Sequence, residues 1–248
     1  MQAIILAAGR GSRMDKLTRD KPKCMVRLAG KPLLDWQVES LRSAGILSIA
    51  AVCGYKAGQI NLDGIEKFIN PRWQTTNMVQ SLVRAAPLLQ AQTCVVSYSD
   101  IVYSPDAVRR LILAEGDIVI TYDPRWLDLW SERFDDPLSD AETFRADTDG
   151  ALVEIGGRAQ SLDEIEGQYM GLLKFTPQGW SQVESFLAGL SNSEKDQMDM
   201  TSLLKGLISG GAIIKTAPIK DRWYEVDSAN DLMVYEKMIG SSPGSLWE

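Results

Sequence analysis

The sequence predicts an α/β fold, in which a mixed, mostly parallel sheet is flanked by helices and carries a small β-rich insertion. Two features predict it: the first half alternates apolar strands with helices at crossover spacing, and the middle changes to short polar strands. A chain of 248 residues with 45% hydrophobic and 24% charged residues is ordinary for one soluble domain. We therefore expect a single domain at 1–238 and a disordered tail at 239–248.

The first half supplies most of the predicted sheet. Its first strand is the apolar run Ile4 to Leu6, which ends in a glycine-rich turn. A helix at 35–44, ending before Gly45, is predicted by the spacing of Leu34, Trp36, Val38 and Leu41. Further strands are predicted at 46–54, 66–69, 93–98 and 117–122. Helices are predicted between them at 78–89 and 107–115.

The second half begins with an insertion at 123–166 over the sheet edge, where AETFRAD and ALVEIGG favour two short antiparallel strands. The core then resumes with strands predicted at 169–175, 212–217 and 223–227. Helices are predicted at 177–190, 200–208 and 230–238.

Composition excludes several classes of protein. A net charge of −7 and a pI of about 4.8 argue against a nucleic-acid partner, which would require a basic face. No stretch is apolar enough to span a membrane and no signal peptide is visible, so we expect a cytoplasmic protein without membrane association. Three cysteines without CxxC spacing predict neither a disulfide framework nor a zinc site: Cys24, Cys53 and Cys94. Because histidine is absent, any metal must bind oxygen ligands, which favours Mg²⁺.

Residues 3–34, AIILAAGRGSRMDKLTRDKPKCMVRLAGKPLL, place a glycine-rich turn and spaced cations after a buried strand. Little side-chain bulk follows the strand, so a base and its phosphates could approach the backbone of Leu6, Ala7, Ala8, Gly9 and Gly11. Positive charge comes from Arg10, Arg13, Lys21 and Lys23. The spacing matches neither the Walker loop nor the dinucleotide fingerprint. An ordinary turn with solvated cations is the alternative interpretation.

This block resembles the signature of the nucleotidyltransferases, LxxGxGxRMxxLTxxxPKxMxxLxGKPLL. The resemblance implies a glycosyltransferase-A-like fold, and an enzyme that joins a nucleotide to a phosphorylated acceptor and releases pyrophosphate. It also implies that Arg13 binds the β- and γ-phosphates and that Lys23 lies against the α-phosphate. Asp100 and Asp227 match the two family positions that hold Mg²⁺, and both follow predicted strands. The alternative for these two residues is a helix N-cap or a turn.

The segment NPRWQTTNMVQSL at 70–82 resembles the TNxxxSL segment of cytidylyltransferases, which faces the cytosine and ribose. Asn77 and Ser81, with the backbone of Ala7 and Ala8, are therefore the candidates for base recognition. An N-cap and a mid-helix serine are the alternatives.

Segments at 130–144, 163–175 and 199–204 resemble the phosphoglutamine branch of the cytidylyltransferases in capsule phosphoramidate synthesis. For an amino-acid acceptor, Arg133 would bind the α-carboxylate. The α-ammonium would bind among Asp140, Glu142 and Glu166. Each of these residues could equally form a surface ion pair. Alternatively, tryptophans could form a cation–π wall for a choline headgroup, with Trp130 and Trp223 as members beside Trp126.

The function that we expect from these features is Mg²⁺-dependent transfer of CMP from CTP to a small phosphorylated acceptor, with phosphorylated L-glutamine as the first choice. Phosphocholine, aminoethylphosphonate and sugar-1-phosphates remain alternative acceptors, since the N-terminal signature is shared. A non-catalytic nucleotide sensor is an alternative of another class. The sequence leaves the oligomeric state open, with a homodimer as one alternative.

Overall fold

The computed structural model describes residues 1–61, 63–240 and 246–247, without the side chain of Asp15. Its strands, numbered in chain order, are β1 (Gln2–Ala7), β2 (Arg27–Leu28), β3 (Lys31–Pro32), β4 (Ile49–Cys53), β5 (Ile65–Ile69), β6 (Cys94–Tyr98), β7 (Ile101–Val102), β8 (Ile118–Asp123), β9 (Glu142–Ala146), β10 (Leu152–Arg158), β11 (Gln168–Phe175), β12 (Ile214–Pro218) and β13 (Tyr224–Glu225). The α-helices are α1 (Leu33–Ser43), α2 (Met78–Val83), α3 (Ala86–Ala91), α4 (Pro105–Leu113), α5 (Trp126–Arg133), α6 (Pro177–Ala188), α7 (Asn192–Gln197), α8 (Met200–Ser209) and α9 (Ala229–Ile239). None of these described helices is long and apolar enough to cross a membrane.

Seven strands form the main sheet in the order β12-β8-β11-β6-β1-β4-β5. Strand β11 is antiparallel to both neighbours, and the other pairs in this sheet are parallel. The mixed, mostly parallel sheet predicted from the sequence is therefore confirmed.

The central strand β1 is buried along its whole length because both of its faces are covered. Ala3, Ile5 and Ala7 belong to one hydrophobic cluster, which includes residues of α1, α4 and α9. Ile4 and Leu6 belong to a second cluster, which includes residues of α2, α6 and α8. The alternation of side chains along a strand thus places helices on both sheet faces.

The insertion contains the predicted antiparallel pair, β9 and β10. A single bridge between Ala151 and Lys215 joins this hairpin to β12, the edge strand of the main sheet. The insertion also contains α5, which was not predicted from the sequence. Helix α7, which lies outside the insertion, was not predicted either.

The helix predicted at 78–89 is two helices, since α2 ends at Val83 and α3 begins at Ala86. Pro87 explains the break, because proline lacks an N–H and fits only the first turn of a helix.

The expected disordered tail lies largely outside the described residues, at 241–245 and 248. Within the described part, the carbonyl of Leu246 accepts a hydrogen bond from the Tyr224 hydroxyl at 3.0 Å. The Trp247 ring meets Trp36 edge-on, with the ring centroids 6.2 Å apart.

Candidate active site

A cleft of about 240 Å³ opens beyond the carboxyl ends of β1 and β6. From β1 the chain continues to β4 and β5 on one side, and β6 then returns to the other side of β1. The strand order therefore reverses at this point, and such a switch point is where open α/β sheets bind ligands. Leu6, Ala8, Gly9 and Gly11 line the cleft as the sequence predicts, whereas Ala7 lies buried at the end of β1.

Gly11 lets the loop after β1 pass close to Lys23. Its φ of +71° favours glycine, and a Cβ at this position would lie 2.8 Å from the Lys23 side chain. The Thr18 hydroxyl donates a hydrogen bond to the Gly11 carbonyl at 2.9 Å, which holds the turn. A Cβ on Gly9 would meet no heavy atom within 4 Å, so this glycine borders open space.

Lys23 lies between the two carboxylates that the sequence pairs with a metal. Its Nζ donates to Asp100 Oδ2 at 2.7 Å and to Asp227 Oδ1 at 2.5 Å. Burial acts to lower the pKa of Lys23, but Asp100 and Asp227 outweigh it and raise the pKa above its usual value. The ammonium therefore stays charged at neutral pH. Arg13 forms an ion pair with Asp227 Oδ2, and its side chain is 72% exposed, so it remains accessible to a ligand.

The carboxylate oxygens of this cluster can be assigned one by one. Three of the four bind Lys23 or Arg13, and Asp100 Oδ1 is buried without a hydrogen-bond partner among the described residues. No group of three or more acidic, cysteine or histidine residues that could hold a metal occurs in the described part of the chain. Two carboxylates with one free oxygen suit Mg²⁺, which is commonly bound by one or two carboxylates, water and substrate phosphates.

Arg133 lies beneath this cluster and not in the cleft. Its side chain is 1% exposed, and it binds Asp231 through Nε at 3.1 Å and Glu225 through Nη1 at 3.0 Å. Asp231 Oδ2 in turn accepts from the backbone N–H of Asp227 at 3.0 Å and of Ser228 at 2.8 Å. Arg133 therefore supports the backbone that carries Asp227. Its Nε and Nη1 are both already bound to carboxylates of the protein.

Glu225 is the less buried of the two carboxylates that bind Arg133, with its side chain 27% exposed. Burial raises the pKa of Glu225 to about 7, although the Arg133 charge opposes the shift.

The other end of the cleft is bordered by Trp73, Thr76, Asn77, Met78 and Ser81. Asn77 caps α2, because its Oδ1 accepts from the Met78 N–H at 2.8 Å, and its Nδ2 donates to the Gln197 carbonyl at 3.1 Å. The N-cap that was the alternative interpretation of this residue is therefore present. Ser81 is buried and accepts a hydrogen bond from Asn70 at 3.0 Å.

Trp73 is an aromatic wall of the cleft that was not among the predicted site residues. Its ring meets Tyr55 edge-on at 5.2 Å. A Cβ on Gly54 would lie 2.6 Å from Trp73 Cβ and 2.7 Å from the Ala8 carbonyl, so only glycine lets these segments approach. The sequence signal that could have identified Trp73 is its position inside the segment at 70–82, which resembles the base-facing segment of cytidylyltransferases.

Acidic residues of the insertion and at the N-cap of α8 lie beside the site without lining the cleft. Partial burial raises the pKa of Glu142, and Asp199 and Asp140 raise it further. Burial also raises the pKa of Asp140, while the Arg133 charge lowers this pKa and the Asp227 charge raises it. Asp140 therefore lies close enough to Arg133 and Asp227 for their charges to act on it. Repulsion of Glu142 by Asp140 and Asp199 indicates a negatively charged region, which favours the binding of a cationic group.

Tyr98 joins this acidic region to the cleft. It lines the cleft, and its ring meets Tyr169 edge-on at 5.8 Å. Burial raises the pKa of Tyr98, with further increases from Tyr169, Asp100 and Asp199. Gly171 makes room for the ring, since a Cβ there would lie 2.6 Å from it.

Besides Arg133, three more predicted acceptor residues lie away from the cleft. Trp130 and Trp223 are 3% and 2% exposed in the hydrophobic core, with ring centroids 6.1 Å apart. Glu166 accepts from the Ala146 N–H at 3.0 Å and so supports the hairpin of β9 and β10. Because both rings are almost completely buried and neither lines the cleft, they cannot form a wall for a headgroup there.

A family model described as the MobA-like NTP transferase domain matches residues 3–168. The chain is 42% identical over 250 residues to the CTP:phosphoglutamine cytidylyltransferase of Campylobacter jejuni, covering 94% of this chain and 98% of that protein. It is 29% identical to the bifunctional IPC transferase and DIPP synthase of Rubrobacter xylanophilus, covering 96% of this chain and 51% of that protein.

Among solved structures, the inositol-1-phosphate CTP transferase from T. maritima aligns with a TM-score of 0.78 at 23% identity, covering 98% of this chain and 96% of that chain. The CTP:phosphocholine cytidylyltransferase from Streptococcus pneumoniae aligns with a TM-score of 0.70 at 19% identity, covering 96% and 99%. These two likenesses show the fold, and the glycosyltransferase-A-like prediction is confirmed. The resemblance to nucleotidyltransferases, with cytidylyltransferases among the relatives, is confirmed as well, and the chain belongs to the MobA-like NTP transferase family.

Proposed function

We propose that this enzyme transfers CMP from CTP to L-glutamine phosphorylated on its side-chain amide nitrogen, and releases pyrophosphate. The observation that carries the proposal is the cluster of Lys23, Asp100 and Asp227 beside the glycine-rich loop. The full-length similarity to a CTP:phosphoglutamine cytidylyltransferase supports the choice of nucleotide and acceptor.

The reaction forms a bond between an acceptor phosphate oxygen and the α-phosphorus, while the bond from the α-phosphorus to the β-phosphate oxygen breaks. A phosphate nucleophile is already ionised at neutral pH, so no general base is required. This chain contains no histidine that could serve as one. Catalysis then rests on positioning and on charge stabilisation.

Lys23 and Arg13 supply protein cations for the two ends of the triphosphate. Lys23 is buried and keeps its charge, so it is suited to the α-phosphorus, where negative charge develops. Arg13 is exposed and can pair with the β- and γ-phosphates, since a guanidinium binds phosphate through two hydrogen bonds.

Asp100 and Asp227 would hold Mg²⁺, and the free Asp100 Oδ1 supports this assignment. When bound, the metal would act as a Lewis acid and screen the repulsion between the triphosphate and the incoming phosphate. Nucleotidyl transfer between two anions favours such a cation. Arg133 and Asp231 would keep Asp227 in position through the backbone N–H described above.

The acceptor would lie on the acidic side of the cleft. Asp140, Glu142 and Asp199 are electrostatically coupled, and a single ammonium group would relieve their repulsion. An acceptor that carries an α-ammonium fits this region. Trp73 would stack on the cytosine at the opposite end, since base–aromatic stacking does not depend on hydrogen bonding.

The proposal is tested by a pyrophosphate-release assay that varies both substrates. CTP, UTP, ATP and GTP are each combined with phosphoglutamine, phosphocholine, aminoethylphosphonate and glucose-1-phosphate. We expect the highest kcat/KM with CTP and phosphoglutamine, and only in the presence of Mg²⁺. Preferred use of phosphocholine or glucose-1-phosphate would overturn the acceptor. A cytoplasmic location and the absence of nucleic-acid and membrane partners stay predictions, and a homodimer stays one alternative for the oligomeric state.

A further inference from the structure

Asn70 is a buried polar residue that lies directly after β5 and behind the base end of the cleft. It is 0% exposed, and its backbone N–H donates to the Cys53 carbonyl at 2.8 Å. Its side chain takes part in three hydrogen bonds, each of 3.0 Å: with the Arg72 N–H, the Thr76 hydroxyl and the Ser81 hydroxyl. None of the functional roles described above involves Asn70.

The orientation of the Asn70 amide is fixed by its neighbours. The Arg72 N–H can only donate, so it must face the amide oxygen. The Thr76 hydroxyl donates its hydrogen to the Arg72 carbonyl at 2.9 Å, so its oxygen must accept from the amide nitrogen. The remaining amide hydrogen points at Ser81 Oγ. Asn70 is therefore a donor to Ser81, and the reverse arrangement would break both other bonds.

Ser81 is left with a hydroxyl hydrogen that cannot point back at Asn70. The described residues include no hydrogen bond donated by Ser81, and Ser81 lines the cleft. We propose that Asn70 fixes Ser81 as a hydrogen-bond donor towards the base, and that this polarity selects cytosine over uracil. The inference rests on the proposed function, because it assumes that a pyrimidine nucleotide occupies the cleft.

The two pyrimidines differ at the ring atom that such a donor would read. Cytosine presents unprotonated N3 as an acceptor, whereas uracil carries a hydrogen on N3. A serine donor facing that N3–H would leave two buried donors unpaired, and unpaired buried polar groups are costly. Sites that are built to pair with one hydrogen-bonding pattern reject the analogue that lacks it far better than apolar pockets do.

The variant Asn70→Asp tests this polarity with nearly the same shape. A carboxylate can only accept, so the Ser81 hydroxyl would donate to it and turn lone pairs towards the cleft. We expect the ratio of kcat/KM for CTP to kcat/KM for UTP to fall about tenfold or more, since 1.4 kcal/mol corresponds to a factor of ten. Ser81→Ala, which removes the donor, should lower the same ratio. The exposed Asn192→Asp is the matched control and should keep the wild-type ratio.

A purely structural role for Asn70 would change stability and both nucleotides alike, so the ratio separates the two roles. Thermal melting shows whether each variant is folded, and Ser81→Ala decides the matter if Asn70→Asp does not fold. An unchanged ratio in a folded Ser81→Ala enzyme that still uses CTP would overturn the inference and leave the proposed function standing. A wild-type enzyme that turns over no pyrimidine nucleotide would overturn both.

Discussion

Replacing Lys23 by methionine should expose the repulsion between Asp100 and Asp227. The two carboxylate oxygens lie 2.7 and 2.5 Å from Nζ, so they are no more than about 5 Å apart. Two unit charges at that separation repel by about 3 kcal/mol at an effective dielectric constant near 20. Lys23→Met should therefore lower the free energy of unfolding by about 3 kcal/mol in buffer without divalent cations, since it removes the cation that lies between the two carboxylates and leaves only Asp227 with another, Arg13.

The assay is thermal unfolding with and without MgCl₂. For a chain of this size, about 3 kcal/mol corresponds to a fall of roughly 6–12 °C in Tm. Mg²⁺ should restore more of the Tm in Lys23→Met than it adds to the wild type, because the variant offers more carboxylate oxygens to the ion. Lys21→Met is the matched control, as no hydrogen bond or ion pair is described for Lys21, and its Tm should stay near the wild-type value.

Turnover of the same variant tests the catalytic role of Lys23. We expect kcat to fall about 100-fold or more while KM for CTP changes less, because the charge acts mainly in the transition state. A wild-type Tm and Mg²⁺ response in Lys23→Met would refute the electrostatic reasoning. A rise in KM alone would make Lys23 a ground-state phosphate ligand.

Arg133→Ala should lower Tm and reduce turnover with every acceptor, because it removes the cation that binds the buried Asp231 and the partly buried Glu225. A selective rise in KM for phosphoglutamine at unchanged Tm would instead favour direct acceptor binding. Trp73→Ala should raise KM for CTP about tenfold with little effect on kcat in the pyrophosphate assay, and an unchanged KM would remove Trp73 from the base site. Burial raises the pKa of Cys53 and Cys94 to about 11, so both thiols keep their protons at pH 8, and the thiolate fraction rises only as the pH approaches 11. Labelling with DTNB at pH 8 should therefore require unfolding by guanidinium, and rapid labelling of the native protein would contradict this burial.

The sheet could be predicted from sequence because its signals are local. The apolar run of β1 and the glycine turn after it are contiguous, so the strand, the loop and the position of Lys23 follow from neighbouring residues. The break before α3 also has a local signal in the sequence, which is Pro87. One continuous helix was nevertheless predicted, because the apolar periodicity continues across the break.

The role of Arg133 could not be predicted in the same way. A sequence shows that an arginine carries charge, but it does not show which carboxylate binds it. Its partner Asp231 is 98 positions away and resembles an ordinary capping residue of α9. Asn70 was missed for a related reason, because only the buried arrangement of three neighbours reveals which group it donates to.

The most direct test of the account follows the label from CTP that is labelled at its α-phosphate. With phosphoglutamine and Mg²⁺, we expect the wild type to move the label into a CDP-linked product, with unlabelled pyrophosphate released. Asp227→Asn should lose at least about 100-fold in rate, since it removes a charge from the cluster, whereas the control Asp221→Asn should keep the wild-type rate. Label transfer by Asp227→Asn at the wild-type rate, or no transfer from CTP by the wild type, would contradict the account.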